Sequence, residues 1–353
     1  MLDSSRLRCY ALCLLTALAF VFPGQGSQTV GMGRDVYETS AAARAIFEEA
    51  DRVLGYKLSE LCFAGPAERL NDTTVAQPAV LATSIALFEA MVESVTQKIG
   101  RRVTDGSEPR GVMALPAYMR PDFVAGHSLG EFTALVTAGV LPFADALRLV
   151  AERGKLASTQ GARGAMAAII GLSAEEVERV IADTVAPGTV VVANDNGPIQ
   201  VTIAGSDEGI RAVTEALSTR GAKKIVPLRI SAPFHFPDMG RIGPDLRAFM
   251  QTLRFREPVV PIVANVSALP HLNGAAIQEA LVRHLSNRVE WLKSVRYMVE
   301  RGASTFVEIG AGQVVNGLVK RIADVKLVNV SDTGSLAGAL RTLSERAHSV
   351  ISR

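Results

Sequence analysis

The sequence predicts an α/β fold, with a mostly parallel sheet in a large domain and a ferredoxin-like small domain inserted into it. Strand-like apolar segments alternate with helix-like segments along most of the 353 residues, which is typical of a parallel sheet covered by helices. Within residues 164–230 the predicted order becomes β-α-β-β-α-β, the ferredoxin-like order. We therefore expect a large domain formed by residues 15–160 and 231–353, and a small domain formed by residues 161–230.

Composition points to a soluble enzyme and disfavours several other classes of protein. The chain is 48% hydrophobic and 20% charged, with a net charge of +2, dispersed basic residues and few aromatic ones, so we expect no nucleic-acid partner. Cys9, Cys13 and Cys62 form neither a metal-ligand spacing nor a disulfide framework, and the five histidines include no H-x-x-x-H pair. We expect a reducing compartment, no metal and no bound cofactor.

The N-terminal segment has some features of a signal peptide, because basic residues precede an apolar run in "RLRCYALCLLTALAFVF". The run continues into "FPGQGSQ", however, and its end predicts a short buried strand over residues 17–22 that cleavage would remove. We therefore expect a cytoplasmic protein in which residues 1–14 are an extension, either disordered or a misassigned start. No other stretch approaches the roughly 18 apolar residues needed to span a bilayer, so no membrane contact is expected.

Two helices and a long loop are predicted next. "AARAIFEEADRVL" places Ile46, Ala50 and Val53 on one helical face, and "QPAVLATSIALFEAMV" reads as a second apolar helix with Pro78 near its first turn. Residues 96–121 are rich in glycine, proline and charge, which predicts a surface insertion. A plain loop is the simpler interpretation of this insertion, and a lid over an active site is the alternative.

A Gly-x-Ser-x-Gly pattern at residues 126–130 follows the predicted strand "DFVAG". After Ser128 a helix is predicted by the apolar spacing of Phe132, Leu135, Val136 and Val140. A serine on a sharp strand-turn-helix is exposed at the end of the sheet, and flanking glycines allow the turn. The large domain is therefore predicted to have an α/β-hydrolase-like core with a nucleophilic serine.

The small domain is predicted from four strands and two helices. Its first strand in chain order is "AMAAII" and its last is "KKIVPLRI". Between them, "TVVVAN" and "QVTIAG" form a hairpin across "DNGP". "SAEEVERVIADT" is a helix in which Ser173 and Glu176 have capping-box spacing, and "SDEGIRAVTEALSTRG" is the second helix. The chain then returns to strands and helices in alternation from "PIVANV" to "KLVNVS".

A serine hydroxyl needs a neighbouring base to attack at neutral pH, and four histidines are candidates for it. His127 adjoins the serine, but on a tight turn its side chain should point away. His235, in "SAPFHFPDM", lies where the small domain returns to the large one, and loops at such junctions line clefts. The other two candidates are His271 and His284. The position of His235 makes it the predicted base.

Five motifs then occur in one order: "FVFPGQGSQTVGMG", "GHSLGEF", "AERGKLA", "SAPFH" and "EIGAGQVVNGLVKRI". In order and spacing they resemble the malonyl-CoA:acyl carrier protein transacylases, which are similar to the acyltransferase domains of polyketide and fatty acid synthases. The resemblance runs from about residue 16 to 325. It implies that Ser128 carries the malonyl group as an ester and that His235 is the base that removes the serine proton.

The resemblance also implies the binding groups. Arg153 is similar to the family arginine that pairs with the free malonyl carboxylate, which a guanidinium can meet with two parallel hydrogen bonds; from the sequence alone, a surface helix arginine is the simpler interpretation. The backbone N–H groups of Gln25 and Leu129 resemble the family's oxyanion hole. Gln77 and Asn196 are similar to family pocket residues.

Two further positions bear on specificity and on the base. Phe234 is the large residue usual in malonyl-selective members, and it would disfavour a methyl group on the substrate by about 1–3 kcal/mol. His284 stands where the family commonly has glutamine, whose backbone carbonyl orients the catalytic histidine. Its imidazole could shift the pKa of His235 through like-charge coupling, or simply be hydrogen-bonded beside it; the second is the simpler expectation.

The implied activity is transfer of a malonyl group from malonyl-CoA to the phosphopantetheine thiol of an acyl carrier protein, for fatty acid or polyketide synthesis, by a monomer. One alternative is a thioester hydrolase, which would need a carboxylate beside the histidine, with Asp183, Asp195 and Asp207 as candidates. Another is a non-catalytic docking module for a carrier protein.

Overall fold

The computed structural model of the chain describes residues 17–98, 111–228, 230 and 232–351. The expected N-terminal extension, residues 1–14, with Cys9 and Cys13, lies outside the described residues. In this part of the chain the strands are β1 (Ala17–Phe22), β2 (Phe123–Gly126), β3 (Ala165–Ile170), β4 (Val190–Gly197), β5 (Gln200–Gly205), β6 (Lys224–Pro227), β7 (Ile262–Val263), β8 (Pro270–His271), β9 (Ala303–Ile309) and β10 (Lys326–Val330).

Helices cover both sheets. In chain order they are α1 (Arg34–Thr39), α2 (Ala41–Leu54), α3 (Leu58–Ala64), α4 (Ala67–Asn71), α5 (Thr73–Lys98), α6 (Gly130–Thr137), α7 (Phe143–Gln160), α8 (Ala174–Thr184), α9 (Asp207–Thr219), α10 (Gly243–Gln251), α11 (Gly274–His284), α12 (Trp291–Glu300), α13 (Val314–Ile322) and α14 (Thr333–Ile351). Short 3₁₀ turns occur at Gly111–Ala114, Ala117–Met119 and Pro237–Ile242.

The larger sheet has six strands in the order β10-β9-β1-β2-β7-β8, all parallel except the short edge strand β8. β1 is buried along its whole length, as expected for a central parallel strand with helices on both faces. Phe22 and Gly126 are partners in the β1–β2 register, so both strands end at the same edge. The loops after β1 and β2 therefore leave the sheet side by side, and the predicted α/β class with a mostly parallel sheet is confirmed.

The second sheet is antiparallel, with the order β4-β5-β3-β6, and α8 and α9 pack against it around Ile169, Val177 and Val213. This is the predicted β-α-β-β-α-β arrangement. β4 extends further than expected, to Gly197, because two register shifts let it keep pairing with β5 through most of "DNGP". The hairpin turn is thus shorter than the sequence predicted.

The helix predicted to open at Pro78 begins five residues earlier, and the proline lies inside α5. The reason is Asp72, whose carbonyl accepts hydrogen bonds from the N–H groups of Val75 and Ala76 and whose carboxylate accepts one from the N–H of Thr74. Among the described residues, α5 is also the one helix long and apolar enough to cross a membrane, but 94% of its apolar window is buried inside the protein.

The prediction that residues 96–121 form a surface insertion is wrong for part of this segment. α5 continues to Lys98, and residues 111–121 pack on the core through Val112, Leu115 and Met119, all buried. Their apolar side chains explain why this part folds back onto the large domain. The remainder, and with it the question of a lid, lies outside the described residues.

Gly130 offers a test of this fold, because a Cβ there would lie 2.2 Å from the carbonyl oxygen of Phe22 at the end of β1. That oxygen belongs to the backbone and cannot rotate away as a flexible side chain could. We therefore expect Gly130→Ala to lower the free energy of unfolding by about 3 kcal/mol. Urea denaturation would measure this. The matched control is Gly317→Ala in α13, where a Cβ meets nothing within 4 Å; helix propensity should then raise the free energy by about 1 kcal/mol. Equal effects of the two substitutions would contradict the packing argument.

Candidate active site

Ser128 lies at the sharp turn between β2 and α6, with a positive φ of 50°. A Cβ on Gly126 would lie 1.8 Å from the carbonyl carbon of Gly130 across the turn, and a Cβ on Gly130 would lie 2.2 Å from the carbonyl oxygen of Phe22, so close backbone approach requires both glycines of the motif. The N–H of Ser128 donates to Oδ1 of Asn265 (2.7 Å), and Nδ2 of Asn265 donates to the carbonyl of Gly126 (2.6 Å). The turn is thus held by its own tight backbone and by one buried amide.

His235 lies against the serine. Oγ of Ser128 and Nε2 of His235 are 2.8 Å apart, although 107 residues separate them in the chain. Nδ1 of His235 is 2.8 Å from the carbonyl oxygen of His284, which can only accept, so Nδ1 carries the proton and Nε2 is free to accept from the serine. His235 has a positive φ of 66°, and its N–H donates to the carbonyl of Leu285 (2.9 Å).

The surroundings of His235 favour the neutral imidazole. Burial, assisted by the positive charge of Arg153, lowers the pKa of His235 from 6.5 to about 3. The ring is therefore uncharged across the neutral range. A neutral imidazole with an unprotonated Nε2 on a serine hydroxyl is the arrangement that general-base catalysis requires.

Two backbone N–H groups belong to the segments that meet at the turn of Ser128. Gln25 is in the turn after β1, Leu129 immediately precedes α6, and neither N–H donates to another group of the described chain. The two segments are in close contact, since a Cβ on Gly24 would lie 2.4 Å from the carbonyl oxygen of His127. Free N–H groups on a tight loop and at a helix start can stabilise a negatively charged oxygen.

Arg153 is buried in α7, with only 2% of its surface exposed, so the surface interpretation of this residue is wrong. Its Nη1 donates to Oε1 of Gln77 (2.7 Å), while Nη2 has no hydrogen-bond partner in the described chain. The guanidinium carbon lies 4.1 Å from the ring centre of Phe234 and 5.6 Å from that of Phe132. Burial lowers the pKa of Arg153 to about 9, with Glu131 opposing this shift, so the group remains cationic at neutral pH.

The glycine after Arg153 explains how an arginine on α7 comes to be buried. A Cβ on Gly154 would lie 3.2 Å from the carbonyl oxygen of Thr73, so α7 and the start of α5 pack almost backbone to backbone. That approach brings Arg153 to Gln77, one turn further along α5.

Asn196 connects β4 of the smaller sheet to the residue before Ser128. Its Oδ1 accepts a hydrogen bond from Nε2 of His127 (2.6 Å), and its Nδ2 donates to Oγ1 of Thr202 (3.2 Å). His127 therefore points away from the nucleophile and packs against Trp291, and burial lowers its pKa. Because both polar atoms of Asn196 are used in this way, its amide supports the junction, and its expected pocket role remains a prediction.

The imidazole of His284 packs on that of His235, with 4.7 Å between ring centres. Neither of its ring nitrogens hydrogen-bonds to the described chain, so the simpler expectation of a hydrogen-bonded ring is wrong. Nε2 of His284 lies 4.0 Å from Oε2 of Glu131. Burial lowers the pKa of His284 and raises that of Glu131 to about 8, so this is a contact between a neutral ring and a protonated carboxyl group, and the ring adds no positive charge beside His235.

Nδ1 of His235 donates to the carbonyl of His284, and no carboxylate of the described residues accepts from it. Among the candidate acids, Asp183 pairs with Arg220 on the surface, and Asp207 starts α9. His271 lies on the edge strand β8, where its ring contacts Ser267. The described residues contain no group of three or more His, Cys, Asp or Glu side chains that could hold a metal ion.

Sequence reasoning missed Asn265 and Glu131, both buried beneath Ser128. Oε2 of Glu131 accepts from the N–H of Asn265 (3.2 Å), which continues the support of the nucleophile turn. A signal was present, since Asn265 follows β7, the strand beside β2, and polar residues at the carboxyl ends of parallel strands meet at one edge.

A cavity of about 580 Å³ opens onto His235. α8, which packs on the smaller sheet, forms one wall, and the turn at 286–288 forms the other. An ion pair between Arg288 and Glu178 (2.7 Å) joins the two walls, and Val289 exchanges backbone hydrogen bonds with Ala193 and Asp195 of β4. Of the Ser128–His235 pair, His235 is the member that lines this cavity.

Comparisons with known proteins agree with the resemblance seen in the sequence. A family model described as an acyl transferase domain matches residues 19–99 and 113–339. Proteins named malonyl CoA-acyl carrier protein transacylase are 39% identical over 335 residues in Bacillus subtilis (94% of this chain, 98% of that protein) and 41% identical over 330 residues in Escherichia coli K12 (92% and 99%).

Solved structures give the same result. An acyl-carrier-protein-S-malonyltransferase from Bartonella henselae superposes with a TM-score of 0.84 at 37% identity, covering 93% of this chain and 100% of that one. A malonyl-transacylase solved in complex with a type II PKS acyl-carrier protein has a TM-score of 0.81 at 39% identity, with the same coverage. The chain belongs to the acyl transferase domain family, among the malonyl-CoA:acyl carrier protein transacylases.

Proposed function

We propose that this protein transfers a malonyl group from malonyl-CoA to the phosphopantetheine thiol of an acyl carrier protein, through an ester on Ser128. The observation that carries the proposal is the 2.8 Å contact between Oγ of Ser128 and the unprotonated Nε2 of His235. The family relatives, including one solved with its acyl-carrier protein, supply the substrate classes. Both fatty acid and polyketide synthesis use such extender units.

In the first half-reaction Oγ of Ser128 attacks the thioester carbonyl while its proton moves to His235. The negative oxygen of the tetrahedral intermediate lies against the N–H groups of Gln25 and Leu129, whose loops are already in contact. The bond from carbon to sulfur then breaks, and His235 returns the proton to the departing CoA thiolate. In the second half-reaction His235 takes the proton of the carrier thiol and the sulfur attacks the ester carbonyl. The bond from that carbon to Oγ of Ser128 then breaks, and His235 returns the proton to Oγ.

Arg153 is the proposed binding group for the free carboxylate of the malonyl group. Its Nη2 is buried without a hydrogen-bond partner among the described residues, and a substrate carboxylate would satisfy that group and neutralise the charge. Phe234 contacts the same guanidinium, so its ring borders the position of the substrate α-carbon and leaves little room for a methyl group. Asn196 and Gln77 support this pocket through His127 and Arg153 respectively.

The two alternatives have less support. A hydrolase triad would place a carboxylate on Nδ1 of His235, where this chain has a carbonyl, and it would leave the buried Arg153 without a role. A docking module would not need a serine and a histidine in hydrogen-bond contact.

The proposed chemistry requires only proton transfer and oxyanion stabilisation, so it uses no metal or redox cofactor. We also propose that the protein acts as a cytoplasmic monomer.

Mixing the protein with malonyl-CoA should increase its intact mass by one malonyl group, located on Ser128 by peptide mapping. Ser128→Ala should abolish the adduct, and His235→Ala should slow its formation by about 10²- to 10⁴-fold, since the base is lost. His271→Ala, on the distant edge strand, is the matched histidine control and should leave the rate unchanged. An adduct that survives Ser128→Ala would contradict the proposal, as would free malonate in place of the malonyl-carrier product.

Arg153→Ala should lower kcat/KM for malonyl-CoA by about 10²-fold or more, because it removes a charge-assisted pair in a buried site. With acetyl-CoA, which has no second carboxylate, the change should be less than about threefold. Arg153→Lys should recover only part of the loss, since an ammonium cannot make the two parallel hydrogen bonds. A competition assay with malonyl-, methylmalonyl- and acetyl-CoA, read by intact mass, would measure these effects of the two substitutions. Equal losses for malonyl and acetyl would rule out carboxylate recognition.

The lowered pKa of His235 predicts an unusual pH profile. Because the folded pKa is about 3, the base form is complete at neutral pH and is lost only as the pH falls towards that value. We expect kcat/KM for acylation to change by less than about threefold between about pH 5 and pH 7. His284→Gln keeps the backbone carbonyl on Nδ1 and should leave the profile unchanged. A fall with a midpoint near the ordinary histidine value of about 6.5 would contradict this prediction.

A further inference from the structure

Three hydrogen bonds connect Arg153 to Thr73, the first residue of α5. Nη1 of Arg153 donates to Oε1 of Gln77 (2.7 Å), Nε2 of Gln77 donates to Oε1 of Gln25 (3.3 Å), and Nε2 of Gln25 donates to Oγ1 of Thr73 (3.1 Å). Thr73, Gln77 and Arg153 are all at least 98% buried. The four residues come from the loop after β1 and from two helices.

The direction of these bonds is fixed by chemistry. A guanidinium has only donors, so Gln77 must present its oxygen to Arg153 and its NH₂ group to Gln25. Gln25 then presents its oxygen to Gln77 and its NH₂ group to Thr73, whose hydroxyl must accept. Reversing either amide would place two donors against each other. The charge of Arg153 therefore determines the orientation of both glutamines, and the row requires an acceptor at residue 73.

Gln25 has two functions in this arrangement. Its backbone N–H is one of the two proposed oxyanion donors, and its side chain is the middle of the row that ends at Arg153. The same loop is also held by the hydrogen bonds of Ser27 to the carbonyl of Gly24 and of Gln28 to Asn71, but neither of these reaches α5. The bond to Thr73 is thus a direct attachment of this loop to α5, the helix that also carries Gln77.

We propose that Thr73 is a positioning residue for acyl transfer: by accepting the Gln25 amide, its hydroxyl holds the oxyanion N–H of Gln25 at a fixed spacing from the guanidinium of Arg153. The proposal rests on the proposed function, because it assigns Gln25 and Arg153 the roles given above. The first residue of α5 then contributes to the rate of acyl transfer, although Thr73 touches neither the substrate nor the reacting atoms.

Thr73→Val tests this, since it keeps the shape of the side chain and removes the acceptor. The oxyanion contact is made mainly in the transition state, so kcat for malonyl transfer should fall by about tenfold while KM changes by less than about twofold. Thr73→Ser keeps the hydroxyl and should restore kcat to within about twofold of the wild type. Thr137→Val, another fully buried helical threonine whose hydroxyl bonds only to its own helix, is the matched control and should leave kcat unchanged.

A double-mutant cycle separates positioning from general damage. If Thr73 acts through the Gln25 amide, Gln25→Ala alone should lower kcat by about the same factor, and adding Thr73→Val should lower it no further. Gln25→Ala also provides the measurement if Thr73→Val does not fold. The proposal is overturned if Thr73→Val or Gln25→Ala keeps wild-type kcat, if the two losses multiply, or if Thr73→Ser fails to restore activity. Failure of the proposed function is distinct, because the wild-type protein itself would then form no malonyl-Ser128.

Discussion

The close packing of the turn at Ser128 against the end of β1 is the constraint on which the rest of the site depends. Gly126 and Gly130 leave no space for a Cβ, and Gly24 approaches the carbonyl of His127 equally closely. These contacts hold Ser128 at a positive φ and bring the Gln25 loop beside the start of α6. Nucleophile, helix N-terminus and glycine-rich loop therefore form one rigid unit before any substrate binds, which is the preorganisation that electrostatic catalysis requires.

Burial gives ordinary side chains their chemical character here. His235 is neutral because its ring is removed from water beside a cation, and Glu131 holds its proton for a related reason, since burial disfavours its anion. Arg153 remains charged, yet part of its guanidinium lacks a partner. An unsatisfied buried cation is costly, and it is a site at which an incoming carboxylate gains far more than it would in water.

The smaller sheet and its helices contribute a wall of the cavity, while Ser128 follows a strand of the larger sheet. Asn196 reaches across to His127, β4 pairs with Val289, and Arg288 binds Glu178 over the cavity. These contacts fix the width of the cleft that leads to His235. In the proposed reaction, a narrow cleft would limit the access of water to the ester on Ser128 until the carrier thiol arrives.

The local features of the fold and of the site were determined by the sequence alone, because they depend on local pattern. Apolar runs gave β1 and the alternation of strands and helices, glycine spacing gave the turn at Ser128, and ordered motifs gave the family. Local signals also misled: Pro78 suggested a helix start that Asp72 sets earlier, and the polar composition of residues 96–121 hid the buried side chains of its second half.

Only the tertiary structure decided the contacts between distant segments, since sequence spacing has no information on which side chains share a space. It buried Arg153 through the approach of Gly154 to Thr73, placed Asn265 and Glu131 beneath the nucleophile, and left the ring of His284 without a hydrogen bond. The same packing brought a hydroxyl and an imidazole 107 residues apart into contact. Motifs thus determined which groups are available, and long-range packing determined their distances, protonation states and partners.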